Sequence, residues 1–271
     1  MSKPRWLEHF GLEHPPFTKD IDAPDLWMPS SKRDLVDELV EAVHERQHAM
    51  LVGEPGVGKT CTLRALRHRL PEAGFRLTYC HNATLGRRDF YRQLCLALGL
   101  SPKATAAGVF YAVSEHVETL GRERVHPVFL LDEAHLLHQD VLDHLHVLAN
   151  YQWDQKPLLS LILVGLPDLR DRMVVRKNRS LWSRIHCRAH VPDPTVEDTA
   201  EYLAYRLDRA GRSEQTFSSE ALSVLHEASR GLPRELDRLA TAALKNAARH
   251  KLTIVDHELV ERLLDDPRHA A

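Results

Sequence analysis

Gly53, Glu54, Pro55, Gly56, Val57, Gly58, Lys59 and Thr60 read G-x-x-x-x-G-K-T without a mismatch. They follow a short apolar run, His48 to Val52, and open a helical pattern from Thr60 to Leu70. The setting matters as much as the letters. A strand that turns through glycines into a helix aims successive backbone N–H groups at one point, and the helix adds the positive end of its dipole. A phosphate chain is the ligand such a point fits. Lys59 would reach the outer phosphates, and the Thr60 hydroxyl would coordinate a divalent cation. Cys61 follows in the same first turn and joins the expected binding set.

A second motif completes the first. Val128 to Leu131 is wholly apolar and runs into Asp132 and Glu133. In an open parallel sheet, ligands bind at the carboxyl ends of the strands. Asp132 would hold the metal, directly or through water, and Glu133 would polarise the water that attacks the γ-phosphorus. The pair implies ATP with Mg²⁺.

Further apolar stretches frame these motifs. Phe75 to Cys80 alternates like a strand, Leu158 to Val164 reads as a buried strand, and His186 to Val191 as a short fifth. Helical patterns over Asp34–Gln47, Arg88–Leu98, Ala106–Leu120 and Gln139–Tyr151 separate them. Strands apolar on both faces and separated by helices imply a parallel sheet covered on both sides, an αβα sandwich. After Pro192 and Pro194 the strand signal stops. Glu197–Ala210, Ser218–Ser229, Pro233–His250 and Val255–Leu264 read as four helices, with Thr195 and Ser218 as caps. The expected division is an N-terminal extended arm over 1–35, a nucleotide-binding domain over 36–192 and a helical lid over 195–266. The arm is rich in proline and aromatics, including Trp6, Phe10, Pro15, Pro16, Phe17, Pro24, Trp27 and Pro29. The last residues, 267–271, are expected to fray.

Composition bounds the partners. The 271 residues carry 36 basic and 38 acidic side chains, a formal net charge of −2. Histone-like neutralisation of nucleic acid is excluded, so any phosphate-backbone contact must come from a local patch. Arginine supplies 27 of the cations and lysine 9, which favours planar, bidentate contacts to anions. No apolar run approaches the roughly 20 residues of a membrane-spanning helix. Cys61, Cys80, Cys95 and Cys187 form no C-x-x-C pair and are read as reduced thiols, consistent with a cytoplasmic location and no membrane partner.

With these motifs in place, the chain resembles the AAA+ ATPases from about Phe10 to Leu264. Gly231-Leu232-Pro233-Arg234 is similar to the second sensor motif of that family. The resemblance implies that Arg234 reaches back to the γ-phosphate and couples lid position to nucleotide state. It implies an arginine finger near Arg179-Ser180-Leu181-Trp182-Ser183-Arg184-Ile185, with Arg184 the better fit and Arg179 the reserve. Such a finger acts only once subunits assemble, so a homo-oligomeric ring or filament is expected. One departure stands out. The family's first sensor is usually a polar side chain ending the fourth strand, but here that strand runs into Gly165-Leu166-Pro167. Asn150 is the nearest polar alternative in sequence.

Within the family, Phe10-Gly11-Leu12, Pro16-Phe17 and Ser30 resemble the opening of ATPases related to the secretion protein ExeA and the transposition regulators TniB and TnsC. Leu130-Leu131-Asp132-Glu133-Ala134-His135 and Val164-Gly165-x-Pro167-x-Leu169 fit the same group. The secretion members carry a membrane segment and a wall-binding domain after the ATPase module. The end of this chain at Ala271 turns the expectation toward the transposition branch, whose ATP-bound form assembles on duplex DNA and recruits or stimulates a transposase. Arg87, Arg88 and Arg92 are the expected nucleic-acid contacts, through phosphate and with little sequence preference. The alternatives are a secretion- or envelope-associated ATPase of the ExeA type and a nucleotide switch of slow turnover.

Two other readings fail. Asp132-Glu133-Ala134-His135 spells the signature of DEAH helicases, but the residues after 195 are too few and too helical for a second motor domain. His135, His138, His144 and His146 fall at different helical phases with no completing ligand, so they read as packed or solvated side chains. Phe17 and Trp27 would either flank a nucleotide base or pack.

Overall fold

The three strands expected to carry the site are buried along their full length. They are β1 (His48–Val52), β3 (His126–Leu131) and β4 (Ser160–Gly165). A strand flanked by strands on both edges and helices on both faces has no polar face to show, and apart from the buried His48, His126 and Ser160 at their starts these sequences are apolar. β2 (Phe75–Cys80) and β5 (Ile185–His190) alternate between buried and more exposed positions, as edge strands do. The sheet runs β2-β3-β4-β1-β5 with each neighbouring pair parallel. The computed structural model describes residues 3–80, 84–103, 105–151 and 155–266, so the C-terminal residues expected to fray lie outside the described residues.

The chain divides into two compact units. The larger, residues 30–54 and 59–191, holds the sheet. Its helices are α2 (Ser30–His44), α3 (Lys59–Arg69), α4 (Arg87–Ala97), α5 (Ala106–Arg122), α6 (Gln139–Leu148), α7 (Asp168–Val174) and α8 (Arg179–Trp182). Met50, Val52, Phe129, Leu131, Leu161 and Leu163 join residues of α4, α5 and α6 in one core cluster. The residues alternating with them, Ala49, Leu51, Val128, Leu130, Ile162 and Val164, are also buried and point to the opposite face. The result is the αβα sandwich with a parallel five-stranded sheet that the sequence implies, followed by a helical lid region.

The smaller unit holds residues 1–29, 55–58 and 192–271. It contains α1 (Arg5–His9), α9 (Val196–Arg209), α10 (Ser219–Ser229), α11 (Pro233–Arg249) and α12 (His257–Leu264). Thr195 caps α9 in a full capping box with Asp198, and the Ser218 side chain caps α10. Both satisfy backbone N–H groups that a helix leaves without internal partners. Along α11, Leu236, Leu239, Ala240, Ala243, Leu244 and Ala247 form one buried stripe at three- and four-residue spacing.

The N-terminal segment departs from the extended arm expected of it. Arg5–His9 is helical, Ala23–Asp25 forms a 3-10 turn, and α2 begins at Ser30 rather than Asp34. The prolines explain the difference. Pro4 stands at the N-cap of α1 and Pro24 in the first turn of the 3-10 segment, where a missing N–H costs nothing. Leu7, Phe10 and Leu12 then bury into the helical core. Arg206 fastens the following stretch by donating to the Pro16 carbonyl at 2.8 Å and the Thr18 carbonyl at 2.7 Å.

Candidate nucleotide-binding site

β1 delivers the chain into the loop at Gly53. Gly56 (φ +87°) and Gly58 (φ +109°) adopt left-handed backbone that side-chain-bearing residues rarely tolerate, so the glycines of the motif are needed for its shape. Lys59, the first residue of α3, is buried. Its Nζ donates to the Gly53 carbonyl at 2.8 Å and the Glu54 carbonyl at 3.0 Å. The ammonium is thus held inside the curve of the loop. The first turn of α3 contains no acidic side chain to compete for its N-terminal N–H groups. Thr60 is exposed and Cys61 half-buried on the same turn. A buried cation, left-handed glycines and an unopposed helix N-terminus together fit a nucleotide phosphate chain.

Asp132 follows β3 and is 8% exposed. Its Oδ2 accepts from Tyr79 Oη at 2.6 Å, and its Oδ1 accepts from the Glu133 N–H at 2.9 Å. Its own N–H donates to the Cys80 carbonyl, which extends the ladder between β2 and β3 by one rung. Burial, and then the bond and charge of Asp132, push the Tyr79 phenol above its ordinary range, so it stays a donor. Tyr79 is a site residue that motif reading does not find. The available signal is its outward place near the end of an alternating strand, and using it requires knowing that β2 lies beside β3.

Glu133 takes a left-handed conformation (φ +54°, ψ +34°), an uncommon one for a residue with a side chain. The chain turns there into a 3-10 segment, Ala134–Leu136. The Glu133 carboxylate is 49% exposed, with His135 Nδ1 3.6 Å from its Oε2. Two carboxylates that adjoin in sequence are therefore separated in environment. One is fixed by two hydrogen bonds, and the other is accessible to water.

β4 lies between β3 and β1, with Gly165 opposite Val52 and Leu163 opposite Leu131. The Gly53 N–H donates to the Gly165 carbonyl at 3.2 Å. The end of β4 therefore stands midway between the phosphate loop and the carboxylate pair. Asn150 follows α6 and is exposed. His138 contacts the Thr84 carbonyl, while His144 packs near Tyr91 and Phe110.

The remaining expected residues fall as follows. Arg234 is exposed in the first turn of α11. A Cβ added to Gly56, which groups with the same unit, would stand 3.1 Å from the Arg234 Cβ. The nearby carboxylates are engaged elsewhere. Glu235 pairs with Arg238, and Asp237 accepts from Tyr202 Oη at 2.6 Å. Arg179 is exposed at the start of α8, and Arg184 is half-buried just before β5. Arg87 and Arg88 are exposed on the first turn of α4, whereas Arg92 turns back toward Asp89 at 3.7 Å. Trp27 stacks edge-on against Tyr202, and Arg206 lies 5.8 Å from the Phe17 ring, so both aromatics pack within the helical unit. Among the described residues, no helix is long and apolar enough to cross a membrane.

Comparison with known proteins agrees with this geometry. The family profile described as AAA domain matches residues 29–173, just over half of the chain. General secretion pathway protein A of Aeromonas hydrophila is 30% identical over 243 residues, covering 88% of this chain and 44% of that protein. The chain thus spans less than half the length of the curated relatives it matches. Among solved structures, Cdc6p from Pyrobaculum aerophilum aligns with a TM-score of 0.68 at 16% identity, over 89% of this chain and 67% of that one. The Thermotoga maritima RuvB Holliday junction branch migration motor aligns with a TM-score of 0.59 at 18% identity, over 93% and 73%. At these identities the likeness is one of fold. The profile match, the sandwich and the loop together place the chain in the AAA domain family, a fold that implies the binding and hydrolysis of ATP.

Proposed function

We propose that the chain is an ATP-hydrolysing module acting in secretion, in keeping with its similarity to general secretion pathway protein A, with its turnover tied to assembly. The observation that carries the ATPase reading is the convergence of three strand ends. β1 supplies the loop with Lys59, β3 supplies Asp132 and Glu133, and β4 joins them through Gly165. Lys59 would bind the β- and γ-phosphates, and Glu133 would orient and deprotonate the attacking water. Thr60 and Asp132 would hold Mg²⁺, which supplies charge neutralisation along the phosphate chain. Arg234 would sense the γ-phosphate, and Arg184 would act on a neighbouring subunit of a homo-oligomer.

The secretion-type reading rests on the curated relative that aligns with 88% of this chain. The end of the chain at Ala271 does not count against it, because that relative aligns over less than half of its own length. The second reading is a regulator of transposition that assembles on duplex DNA and engages a transposase. Exposed Arg87 and Arg88 favour it.

Two variants test the ATPase reading, and a gel shift separates the secretion-type reading from the DNA reading. Lys59→Ala should weaken ATP binding at least tenfold, and Glu133→Gln should keep binding while phosphate release collapses; equal release by wild type and Glu133→Gln would leave only a slow switch. In a gel shift with non-specific duplex and a non-hydrolysable ATP analogue, retardation lost in Arg87→Ala/Arg88→Ala and steeply reduced by salt would favour the DNA reading. No retardation at low salt would leave the secretion-type reading.

A further inference from the structure

The end of β4 is the one position flanked by both halves of the site, yet Gly165 puts no side chain there. His135 fills the place instead. A Cβ on Gly165 would stand 3.1 Å from His135 Nδ1 and 3.2 Å from the His135 backbone nitrogen. The His135 side chain is only 12% exposed. Its Nδ1 accepts the Leu166 N–H at 3.4 Å and lies 3.6 Å from Glu133 Oε2. The turn that carries it is anchored to α7, since Arg172 donates to the His135 carbonyl and, at 2.7 Å, to the Leu137 carbonyl. A restrained, nearly buried ring thus stands against a carboxylate that is half exposed and has three side-chain torsions of its own.

We infer that His135 is a positioning residue for Glu133, supplying from the turn after β3 the polar group that β4 lacks. The inference rests on the reading of Glu133 as the base for water attack. A neutral imidazole has one donor and one acceptor nitrogen. With its proton on Nδ1 and the 3.6 Å gap closed by a torsion of Glu133, the ring would give up the Leu166 amide, donate to Glu133 and fix the carboxylate. With its proton on Nε2, the ring takes the Leu166 amide and leaves Glu133 to the water. The glycine at 165 is the structural counterpart of this arrangement, because any larger residue would meet the ring.

Steady-state phosphate release by full-length protein tests the inference. His135→Leu keeps most of the volume and loses the polar atom, while His135→Asn keeps a polar atom at the same distance from the backbone. His135→Leu should lower kcat by about tenfold or more with KM for ATP nearly unchanged, and His135→Asn should retain a substantial part of kcat. Gly165→Ser alone should lower kcat by crowding the ring, and His135→Ala/Gly165→Ser, which returns a hydroxyl to β4, should exceed His135→Ala. Wild-type kcat in His135→Leu, or losses that follow thermal stability rather than polarity, would overturn it. If His135→Leu does not fold, the comparison of His135→Asn and the double variant with His135→Ala decides. Glu133→Gln separates the levels. Unchanged release there removes the base reading itself, whereas collapse there beside a fully active His135→Leu removes only the role of His135.

Discussion

Tyr79 and Asp132 show how a site residue is set by a neighbour distant in sequence. The phenol sits one strand away and donates to Oδ2 at 2.6 Å, while Oδ1 is held by the next backbone N–H. A carboxylate held at both oxygens presents its lone pairs in one orientation, and outer groups of this kind typically alter metal affinity by about 10–100-fold when removed. Tyr79→Phe is therefore expected to shift the Mg²⁺ concentration that half-saturates phosphate release upward by about tenfold, with ATP affinity less affected. An unchanged Mg²⁺ titration would mean that the Glu133 amide alone orients Asp132. The loop and the acidic pair were legible in the sequence because each is contiguous, so spacing alone identifies them. Tyr79 and His135 were not. Their roles depend on which strands adjoin, and neither the β2-β3-β4-β1-β5 order nor the left-handed turn at Glu133 is written in local spacing.

At the scale of elements, legibility follows burial on two faces. β1, β3 and β4 announce themselves as apolar runs because the sandwich leaves them no polar side. Their ends are less plain. β3 begins at His126 rather than Val128, because the polar residue is buried and paired, its Nε2 2.9 Å from Ser160 Oγ at the start of β4. Helix α1 is missed for the opposite reason. Proline density taken over the whole arm hides five proline-free residues that bury Leu7. The His126 pair has a measurable consequence. Burial first, then the nearby charges of Arg46 and His48, hold its pKa down to about 4. An unfolded histidine titrates near 6.5, so between these values the unfolded chain binds the extra proton. Stability contributed here is complete above about pH 6.5 and is lost as pH falls toward 4, by up to about 3 kcal/mol. Urea midpoints at pH 7 and pH 5 should differ less in His126→Gln than in the native chain. Equal differences would place the acid sensitivity in other groups. The cap of α9 offers a second check, since Thr195→Ala removes a full capping box and should cost about 1 kcal/mol in the same assay.

At the scale of the whole molecule, the proposed chemistry gains from a cation supplied by a neighbouring subunit, in addition to Arg234, whose Cβ lies close to Gly56 of its own phosphate loop. Stabilising a transferring phosphoryl group calls for a cation beyond the loop lysine and the metal, and an arginine from a neighbour is one way to supply it. Arg184, half-buried before β5, and Arg179, exposed on α8, are the two side chains in the expected place. Position in sequence favours Arg184, whereas exposure favours Arg179, so mixing subunits is more decisive than mutating them singly. An Arg184→Ala subunit keeps its loop, Asp132 and Glu133 but offers nothing to its neighbour. A Glu133→Gln subunit cannot activate water but still offers Arg184. If the arginine acts between subunits, each preparation alone is nearly inactive, and mixing the two restores phosphate release to a sizeable fraction of the native rate. The restored rate should rise with total protein concentration, because the site exists only where two subunits meet. If Arg184 serves its own subunit, mixing restores nothing at any concentration. Restoration with Arg179→Ala in its place, beside an active Arg184→Ala, would assign the role to α8.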